Sequence, residues 1–286
     1  MRKVAIVTDT TACIPREQVT KYDIELVPMT IIFGDKVYRD SIDISPAEFY
    51  TLLKQAEKLP TTSHPSPDSF LNAYRNASRR AESILCITIS SNFTATLNSA
   101  KLASEMAKTE LPNIAIEVLD CGTAAAAQGL VVLAAARASA SGRDLSEVLE
   151  TAKGIMPRVN LFATLDTLRY LVKGGRVPQA AALVNSLLKI KPIFTLNHAD
   201  ARTVALPRTI TSAMKRMLKM MEKKVVKGKP LHVAVMHADA LDKAIVLQNR
   251  IASQFECAEI FITEFTPVMG VHTGPGLLGI AFYSET

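Results

Sequence analysis

The chain has 286 residues, of which 48% are hydrophobic and 21% are charged. At roughly 150 residues per domain this length predicts about two domains, and the ordinary globular composition excludes a disordered or low-complexity protein. The longest weakly polar segment, residues 124–140, is mostly alanine and contains Gln128 and Arg137, so we expect no transmembrane segment.

The net charge and the cysteine content limit which ligands, partners and cellular compartments we expect. The net charge is +6, with much of the excess between Arg169 and Lys229, which fits an acidic partner or a phosphate-bearing ligand as well as a merely solvated basic face. This basic segment lacks interleaved aromatic residues and any recognition motif, so no specific nucleic acid is expected as a partner. The 4 cysteines form no Cys-x-x-Cys pair, so we expect neither a metal site nor a redox pair of this kind. We also expect no cofactor. The apolar run after Arg2 and Lys3 is too short for a signal peptide, and we therefore expect a cytoplasmic location.

Short apolar runs alternate with helical patterns along the first half of the chain, which predicts an α/β fold with a mostly parallel sheet. Strands are predicted over residues 4–8, 26–32, 84–90 and 115–119. Helices are predicted over residues 70–80, 96–107, 125–139 and 145–154, where apolar residues recur every three or four positions.

The second half is predicted to be a mixed α/β domain. Its predicted strands cover residues 161–165, 192–196, 203–206, 231–236, 260–265 and 278–282, and its predicted helices cover 167–173, 180–188, 209–227 and 242–255. Pro157 interrupts the chain before the first of these strands, so we place the domain boundary there. The prediction is an N-terminal α/β domain over residues 1–157 and a C-terminal α/β domain over 158–286.

Three segments rich in hydroxyl groups are expected to open helices near the carboxyl ends of strands. They are residues 8–11, 60–67 and 90–96. In a parallel sheet such segments meet at one edge, where helix N-termini and hydroxyls together suit a carboxylate or a phosphate. The simpler alternative for each segment is that its serine or threonine only caps a helix.

Two further motifs are candidates for chemistry. His272 lies in a glycine-rich segment, residues 270–276, which we expect to be a constrained loop between two strands, although a hairpin-like turn with an incidental histidine is the alternative. Lys173-Gly174-Gly175-Arg176 suits a phosphate or an acidic protein surface, or it is a glycine cap of a helix. Dinucleotide, P-loop and α/β-hydrolase motifs are absent from the sequence. An autonomous hydrolase or transferase that uses Ser91 or Thr94 with His272 stays open as an alternative.

The motifs follow one another in an order that resembles a known family. They are Val4-Ala5-Ile6-Val7-Thr8-Asp9, Thr61-Thr62-Ser63-His64-Pro65-Ser66-Pro67, Ile89-Ser90-Ser91 through Thr96, Tyr170-Leu171, Lys173-Gly174-Gly175-Arg176, Lys191-Pro192-Ile193 and His272-Thr273-Gly274-Pro275-Gly276. In this order they resemble the DegV family of bacterial fatty-acid-binding proteins, and in particular the FakB-type subunits of fatty acid kinase. The family pattern Ser-Ser-Gly-Leu-Ser-Gly-Thr here has bulkier residues, Phe93 and Ala95, which bear on chain selectivity.

The resemblance implies a two-domain, DegV-like α/β protein that holds a long-chain fatty acid in an interior tunnel. The residues implied at the carboxylate are Thr62, Thr94, His272, Ser63 and Ser91. Arg176 and Arg208 would contact a separate ATP-binding kinase subunit similar to dihydroxyacetone kinases, which phosphorylates the bound acid to an acyl phosphate. The chain itself would be a carrier rather than an enzyme, with transient contact at a membrane surface left open.

Overall fold

A computed structural model describes residues 2–176, 190–197 and 200–285. The strands of the first half are β1 (Arg2–Asp9), β2 (Glu25–Val27), β3 (Thr30–Phe33), β4 (Lys36–Arg39), β5 (Thr61–Ser63), β6 (Ala81–Thr88) and β7 (Ala115–Asp120). Its helices are α1 (Arg16–Tyr22), α2 (Pro46–Gln55), α3 (Pro67–Ser78), α4 (Thr96–Glu110), α5 (Ala125–Ala140) and α6 (Leu145–Ile155).

The second half contains a further set of strands and helices. Its strands are β8 (Asn160–Thr164), β9 (Ile193–Asn197), β10 (Asp200–Ala205), β11 (Leu231–His237), β12 (Glu259–Glu264) and β13 (Leu278–Ser284). Its helices are α7 (Arg169–Gly174), α8 (Ile210–Glu222), α9 (Leu241–Ala252) and α10 (Pro267–Thr273). The helix predicted over 180–188 lies outside the described residues.

The first sheet is parallel, as the alternation of strands and helices predicts. Its strand order is β2-β1-β6-β7, and every pairing between neighbours is parallel. β1 and β6 are buried along nearly their whole length because helices cover both faces, which explains why these strands are continuous apolar runs.

The second large sheet is mixed, which confirms the α/β class expected for the second half. Its order is β10-β9-β8-β13-β11-β12, where β11 and β12 run parallel and the other neighbours are antiparallel. The helix predicted over 209–227 is shorter than expected and ends at Glu222.

The strand predicted over 26–32 is wrong in one respect, because the segment forms two strands in different sheets. Pro28 separates them and has no N–H to donate to a ladder. β2 joins the parallel sheet, whereas β3 lies between β4 and β5 in a small antiparallel sheet. The hydroxyl-rich segment 60–67 therefore contains β5 and does not follow a strand of the parallel sheet.

α5 is the element that both large sheets share. Its residues are buried on all sides, and it contacts β1 on one side and β11 and β13 on the other. Gly129 allows this packing, since a Cβ there would lie 2.5 Å from the carbonyl oxygen of Ala12. One hydrophobic core joins residues of both halves, so the boundary near Pro157 stays a prediction.

In the described part of the chain, no helix combines the length and the apolar character that crossing a membrane requires.

Candidate functional site

A cavity of about 370 Å³ is lined by residues of both halves of the chain. Its apolar lining includes Met29, Ile89, Phe93, Leu161, Leu165, Leu171, Phe194, Leu196, Met236, Phe265, Val268 and Leu277. This volume lies within the roughly 300–1,000 Å³ typical of small-molecule sites. Phe93 and Ala95, where the chain departs from the family pattern, are both in the wall.

The structure brings most of the predicted site residues to this one cavity. Thr62, Ser63, Thr94 and His272 all line it. The hydroxyl Oγ1 of Thr62, on β5, lies 3.0 Å from Nε2 of His272, on α10, so the small antiparallel sheet and the C-terminal half meet here. Oγ1 of Thr94 lies 3.1 Å from Oγ1 of Thr96 at the start of α4.

Ser91 is not part of this cluster. Its hydroxyl donates to Oδ2 of Asp120 at 2.6 Å, and its backbone N–H donates to the same oxygen. The side chain thus ties the loop after β6 to the end of β7. The described hydrogen bond of His272 is to Thr62, so the structure does not place a serine nucleophile beside this imidazole.

His272 lies on a helix, and the expected loop at 270–276 is wrong in this respect. Pro267 begins α10, and the N–H of Val268 donates to Oδ1 of Asp40 at 3.0 Å. Asp40 is fully buried, and burial raises the pKa of its carboxyl to about 6.

Gly274 ends the helix at φ +68, where a Cβ would overlap the ring of Tyr170. The sequence hides this helix because it is a single short segment containing Pro267 and Gly270.

The imidazole of His272 is neutral at pH 7. Burial and, to a smaller extent, the nearby Arg176 guanidinium together lower its pKa to about 4. Nδ1 is buried and has no hydrogen-bond partner among the described residues, and it faces Gly174, where a Cβ would lie 2.9 Å away. A proton on Nδ1 would be a buried unpaired donor, so we assign it to Nε2, which then donates to Thr62. The hydroxyl proton of Thr62 is thereby left for a ligand.

Two helices begin at the cavity without a side-chain cap. The cap residues of α4 and α5 are Ala95 and Ala124, and both line the cavity. Their first-turn N–H groups and positive dipole ends suit an anionic head group. The capping alternative applies instead to α3, where Ser66 Oγ accepts from the N–H of Ser69.

Asp9, at the end of β1, has a structural role. One carboxylate oxygen accepts from Thr11, and the other accepts from the N–H of Ile89 at 2.9 Å and from Nε2 of Gln128 at 3.2 Å. Burial raises the pKa of this carboxyl against the effect of those bonds. Gln128 is the residue that the sequence analysis missed. The sequence does indicate it, since Gln128 is a single amide in an otherwise apolar helix. A buried amide needs hydrogen-bond partners.

The two predicted arginines lie in different places. Arg176 is exposed and lines the cavity beside His272, and its Nη1 donates to the carbonyl of Gly174 at 2.6 Å. Arg208 is exposed on the segment between β10 and α8 and does not line the cavity. Gly175, at φ +68, caps α7, which confirms the glycine-cap interpretation of the Lys-Gly-Gly-Arg motif.

A family model described as "Uncharacterised protein, DegV family" matches residues 3–285. The chain belongs to the DegV family. A DegV domain-containing protein of Halalkalibacterium halodurans is 32% identical over 288 aligned positions that cover 100% of both chains.

Solved structures of DegV relatives share the fold. A DegV family protein from Thermus thermophilus, for which fatty acid binding is described, is 29% identical with a TM-score of 0.91 over 100% of both chains. DegV of Bacillus subtilis, a fatty acid binding protein, is 28% identical with a TM-score of 0.89, again over 100% of both chains. These likenesses confirm the DegV-like α/β fold.

Proposed function

We propose that this DegV family protein binds a long-chain fatty acid, with its acyl chain in the cavity and its carboxylate at Thr62 and Thr94. The observation that carries the proposal is an apolar cavity whose polar lining includes hydroxyls, a neutral imidazole, two uncapped helix ends and the exposed Arg176. Fatty acid binding by the Thermus and Bacillus relatives supports the same ligand class.

Burial of the acyl chain supplies most of the binding free energy. Each buried CH₂ contributes about 0.8 kcal/mol, so the apolar wall alone holds a long chain and the head group needs only to be oriented. Neutral donors are enough for that task. His272 acts as a positioning residue, because its Nε2 proton directs the hydroxyl of Thr62 toward the ligand, and Ser63 adds a further hydroxyl at the same wall.

The finer part of the proposal is that the protein is a non-enzymatic carrier for a cytoplasmic fatty acid kinase. The ATP-binding kinase subunit, similar to dihydroxyacetone kinases, would dock at exposed Arg176 and Arg208 and phosphorylate the carboxylate. The free thiols of Cys13, Cys86 and Cys121 are buried, which suits a reducing compartment.

Arg208→Glu is expected to abolish phosphorylation by the added kinase while fatty acid binding is retained, and normal phosphorylation would contradict the docking role.

The first experiment is native mass spectrometry of the purified protein, followed by organic extraction of any bound molecule. We expect one fatty acid per chain, and its identity reports the preferred length and unsaturation. A ligand-free protein that also fails to bind added fatty acids of any chain length would contradict the proposal.

Replacing the head-group hydroxyls tests their role directly. Thr94→Val and Thr62→Val each remove a donor to a carboxylate, and a hydrogen bond to a charged group contributes about 1.5–3 kcal/mol, so affinity should fall roughly tenfold or more. The matched control is Thr195→Val, since that threonine lines the same cavity but donates its hydroxyl to the carbonyl of Leu161. Calorimetric titration with the fatty acid and the corresponding alcohol is the measurement. An equal loss for both ligands would show that the hydroxyls do not recognise the carboxylate.

A further inference from the structure

A second depression, which we call the arginine groove, lies at the C-terminal end of α5. It has a volume of about 520 Å³ and is lined by Ala134, Arg137, Ala138, Ser141, Arg143, Glu150, Thr151, Gly154, Ile155, Arg158, Tyr283 and Glu285. None of these described residues also lines the lipid cavity. α5 begins at that cavity and has 16 residues, so at 1.5 Å per residue its two ends are about 24 Å apart. The groove is therefore separate from the candidate lipid site.

Three arginines from different segments line the groove. Arg137 lies on α5, Arg143 follows the end of α5, and Arg158 follows α6. Arg137 forms an ion pair with Glu259 at 3.0 Å. In the described part of the chain, no carboxylate lies within 4 Å of a guanidinium nitrogen of Arg143 or Arg158. The groove thus holds two guanidinium groups whose charges no described carboxylate neutralises.

The two glutamates of the lining bond to other cations. Oε1 of Glu150 lies 3.0 Å from Nζ of Lys153, and Oε1 of Glu285 lies 2.9 Å from Nε2 of His232. Lys153 and His232 do not line the groove as the structure describes it. Each of these carboxylates is therefore engaged by a neighbour outside the groove, and the arginines keep their charge for a ligand.

Two buried donors of the groove lack an acceptor among the described residues. Nη1 of Arg158 is buried without a hydrogen-bond partner, while Nε of the same side chain donates to the carbonyl of Gly154 at 2.7 Å. Tyr283 is 2% exposed, and its hydroxyl oxygen accepts from Nη2 of Arg137 at 2.8 Å. Burial raises the pKa of Tyr283, so the hydroxyl keeps its proton and can donate it. Leaving buried donors unpaired is costly, and an anion in the groove would supply the acceptors.

Stabilisation of helix ends does not account for the whole arrangement. Arg158 bonds to a carbonyl at the C-terminal end of α6, where a cation is favourable. Nη1 of Arg143 donates to the hydroxyl of Thr151 at 3.3 Å. These bonds use one nitrogen of each guanidinium, whereas a guanidinium has five N–H donors. The remaining donors of both groups suit an oxyanion.

We propose that the arginine groove binds the phosphate group of a small phosphorylated molecule, independently of the lipid cavity. Guanidinium groups bind phosphate through paired, charge-assisted hydrogen bonds, and two of them match its roughly two negative charges. Arg143 and Arg158 hold the phosphate, and the hydroxyl of Tyr283 donates to it from β13. The volume of about 520 Å³ also leaves room for the organic part of a phosphate monoester.

The test follows glycine amides by NMR during ligand titration. The chain has 12 glycines, so selective isotopic labelling of glycine gives a small set of signals. Gly154 lines the groove, whereas Gly174 lies against His272 and reports on the lipid cavity. The ligands are inorganic phosphate and glycerol phosphate, and sodium chloride at the same ionic strength corrects for screening.

Three variants are compared with the wild type. Arg143→Gln/Arg158→Gln removes both unpaired guanidinium groups. Arg79→Gln/Arg216→Gln is the matched control, since it removes the same charge from exposed positions outside the groove. Arg143→Gln alone changes an exposed side chain, so it tests the groove even where the loss of the Arg158 bond to α6 prevents folding.

We expect both ligands to shift the Gly154 signal to saturation in the wild type and in the control. Affinity should fall about tenfold or more in the double groove variant and about threefold or more in Arg143→Gln, because hydrogen bonds to a charged group are lost. Tighter binding of glycerol phosphate would identify a phosphate monoester as the ligand, and tighter binding of inorganic phosphate would identify the free ion.

Three results would overturn the proposal. They are a Gly154 shift that does not saturate or that sodium chloride reproduces, an affinity that falls equally in the control, and a saturating shift at Gly174 without one at Gly154. Fatty acid binding is not needed for any of these measurements, so a failure of the proposed lipid function is a separate result.

Discussion

His272 links the site to the stability of the fold through its protonation. Its pKa is about 4 in the folded protein and 6.5 in the ordinary imidazole, so between these values the unfolded chain binds a proton that the folded chain does not. The free energy of unfolding therefore falls as the pH falls through this window, by about 2 kcal/mol between pH 7 and pH 4.5.

We expect His272→Gln to remove this part of the pH dependence. Urea unfolding of both proteins at pH 7 and pH 4.5 measures it, with His64→Gln as the control because His64 is exposed. Asp40 has the opposite effect on the free energy of unfolding, since its pKa is raised to about 6 and its protonation favours the folded state. Because Asp40 is present in all three proteins, its contribution to the pH dependence cancels in the comparison. Equal pH dependence in wild type and His272→Gln would contradict a buried, neutral His272.

The lack of a side chain at Gly174 leaves room for the imidazole of His272 in the position that bonds to Thr62. Gly174→Ala would put a methyl group 2.9 Å from Nδ1, so His272 must move and its bond to Thr62 must lengthen. We expect fatty acid affinity to fall about tenfold, by the loss of one oriented donor to a carboxylate.

Gly175→Ala is the neighbouring control for Gly174→Ala. Gly175 has φ +68 and open space around its Cβ position, so alanine there strains the backbone and lowers stability by about 1 kcal/mol without contacting His272. Titration with fatty acid and urea unfolding separate the two effects. Equal affinities in the two variants would contradict the positioning role of Gly174.

Residue types and motif order predicted that several hydroxyl-bearing side chains and His272 converge, whereas their contact with a carboxylate stays a prediction. Thr62, Ser63, Thr94 and His272 do line one cavity, as expected. Ser91 does not, because its hydroxyl bonds to Asp120, and that meeting depends on the register of β6 against β7. Only the fold brings these two positions together, so neither residue type nor local spacing reveals the contact.

Short elements are where the sequence was least informative. The long parallel strands were predicted from continuous apolar runs, and the longer helices after α2 from apolar periodicity over many positions, with ends within about five residues, whereas α1 and α2 were not predicted. β3, β4 and β5 have three or four residues each, too few for alternation to be visible, and α10 is only seven residues long. These short elements carry or support Thr62, Ser63 and His272.

The start of α5 carries strain next to the cavity. Ala125 has φ +55, a left-handed conformation that costs a residue with a Cβ about 1–2 kcal/mol. We expect Ala125→Gly to stabilise the protein by up to about 1 kcal/mol, since the relief of strain exceeds the added freedom of the unfolded chain.

Ala126→Gly is the control for Ala125→Gly. It lies one residue further into the helix and has no positive φ, so glycine there should destabilise by about 1 kcal/mol. Thermal unfolding of both variants gives the sign of each change. Destabilisation of similar size at both positions would contradict strain at Ala125.

At the scale of the whole molecule, one core and one cavity join the two halves. α5 packs on β1 and on β11 and β13, and at its C-terminal end Arg137 pairs with Glu259 at 3.0 Å and donates to the hydroxyl of Tyr283 at 2.8 Å. The cavity lining comes from strands of the second large sheet, from β5 of the small sheet, and from segments that follow strands of the first large sheet. Chain length and the alternation of apolar runs with helical patterns predicted two α/β halves. They could not reveal a shared core, because a helix that is apolar all round does not show which elements it contacts.

This shared core predicts how a bound fatty acid stabilises the protein. A ligand at 100 times its Kd adds about 2.7 kcal/mol to the free energy of unfolding, and a shared core distributes that gain over both sheets. We expect hydrogen exchange to slow by the same factor in β1 and in β11 when the delipidated protein is loaded with fatty acid. Thr94→Val, loaded at the same fatty acid concentration, should show a smaller factor in both strands. Protection of one sheet alone would mean that the halves unfold separately and that the boundary near Pro157 divides two independent cores.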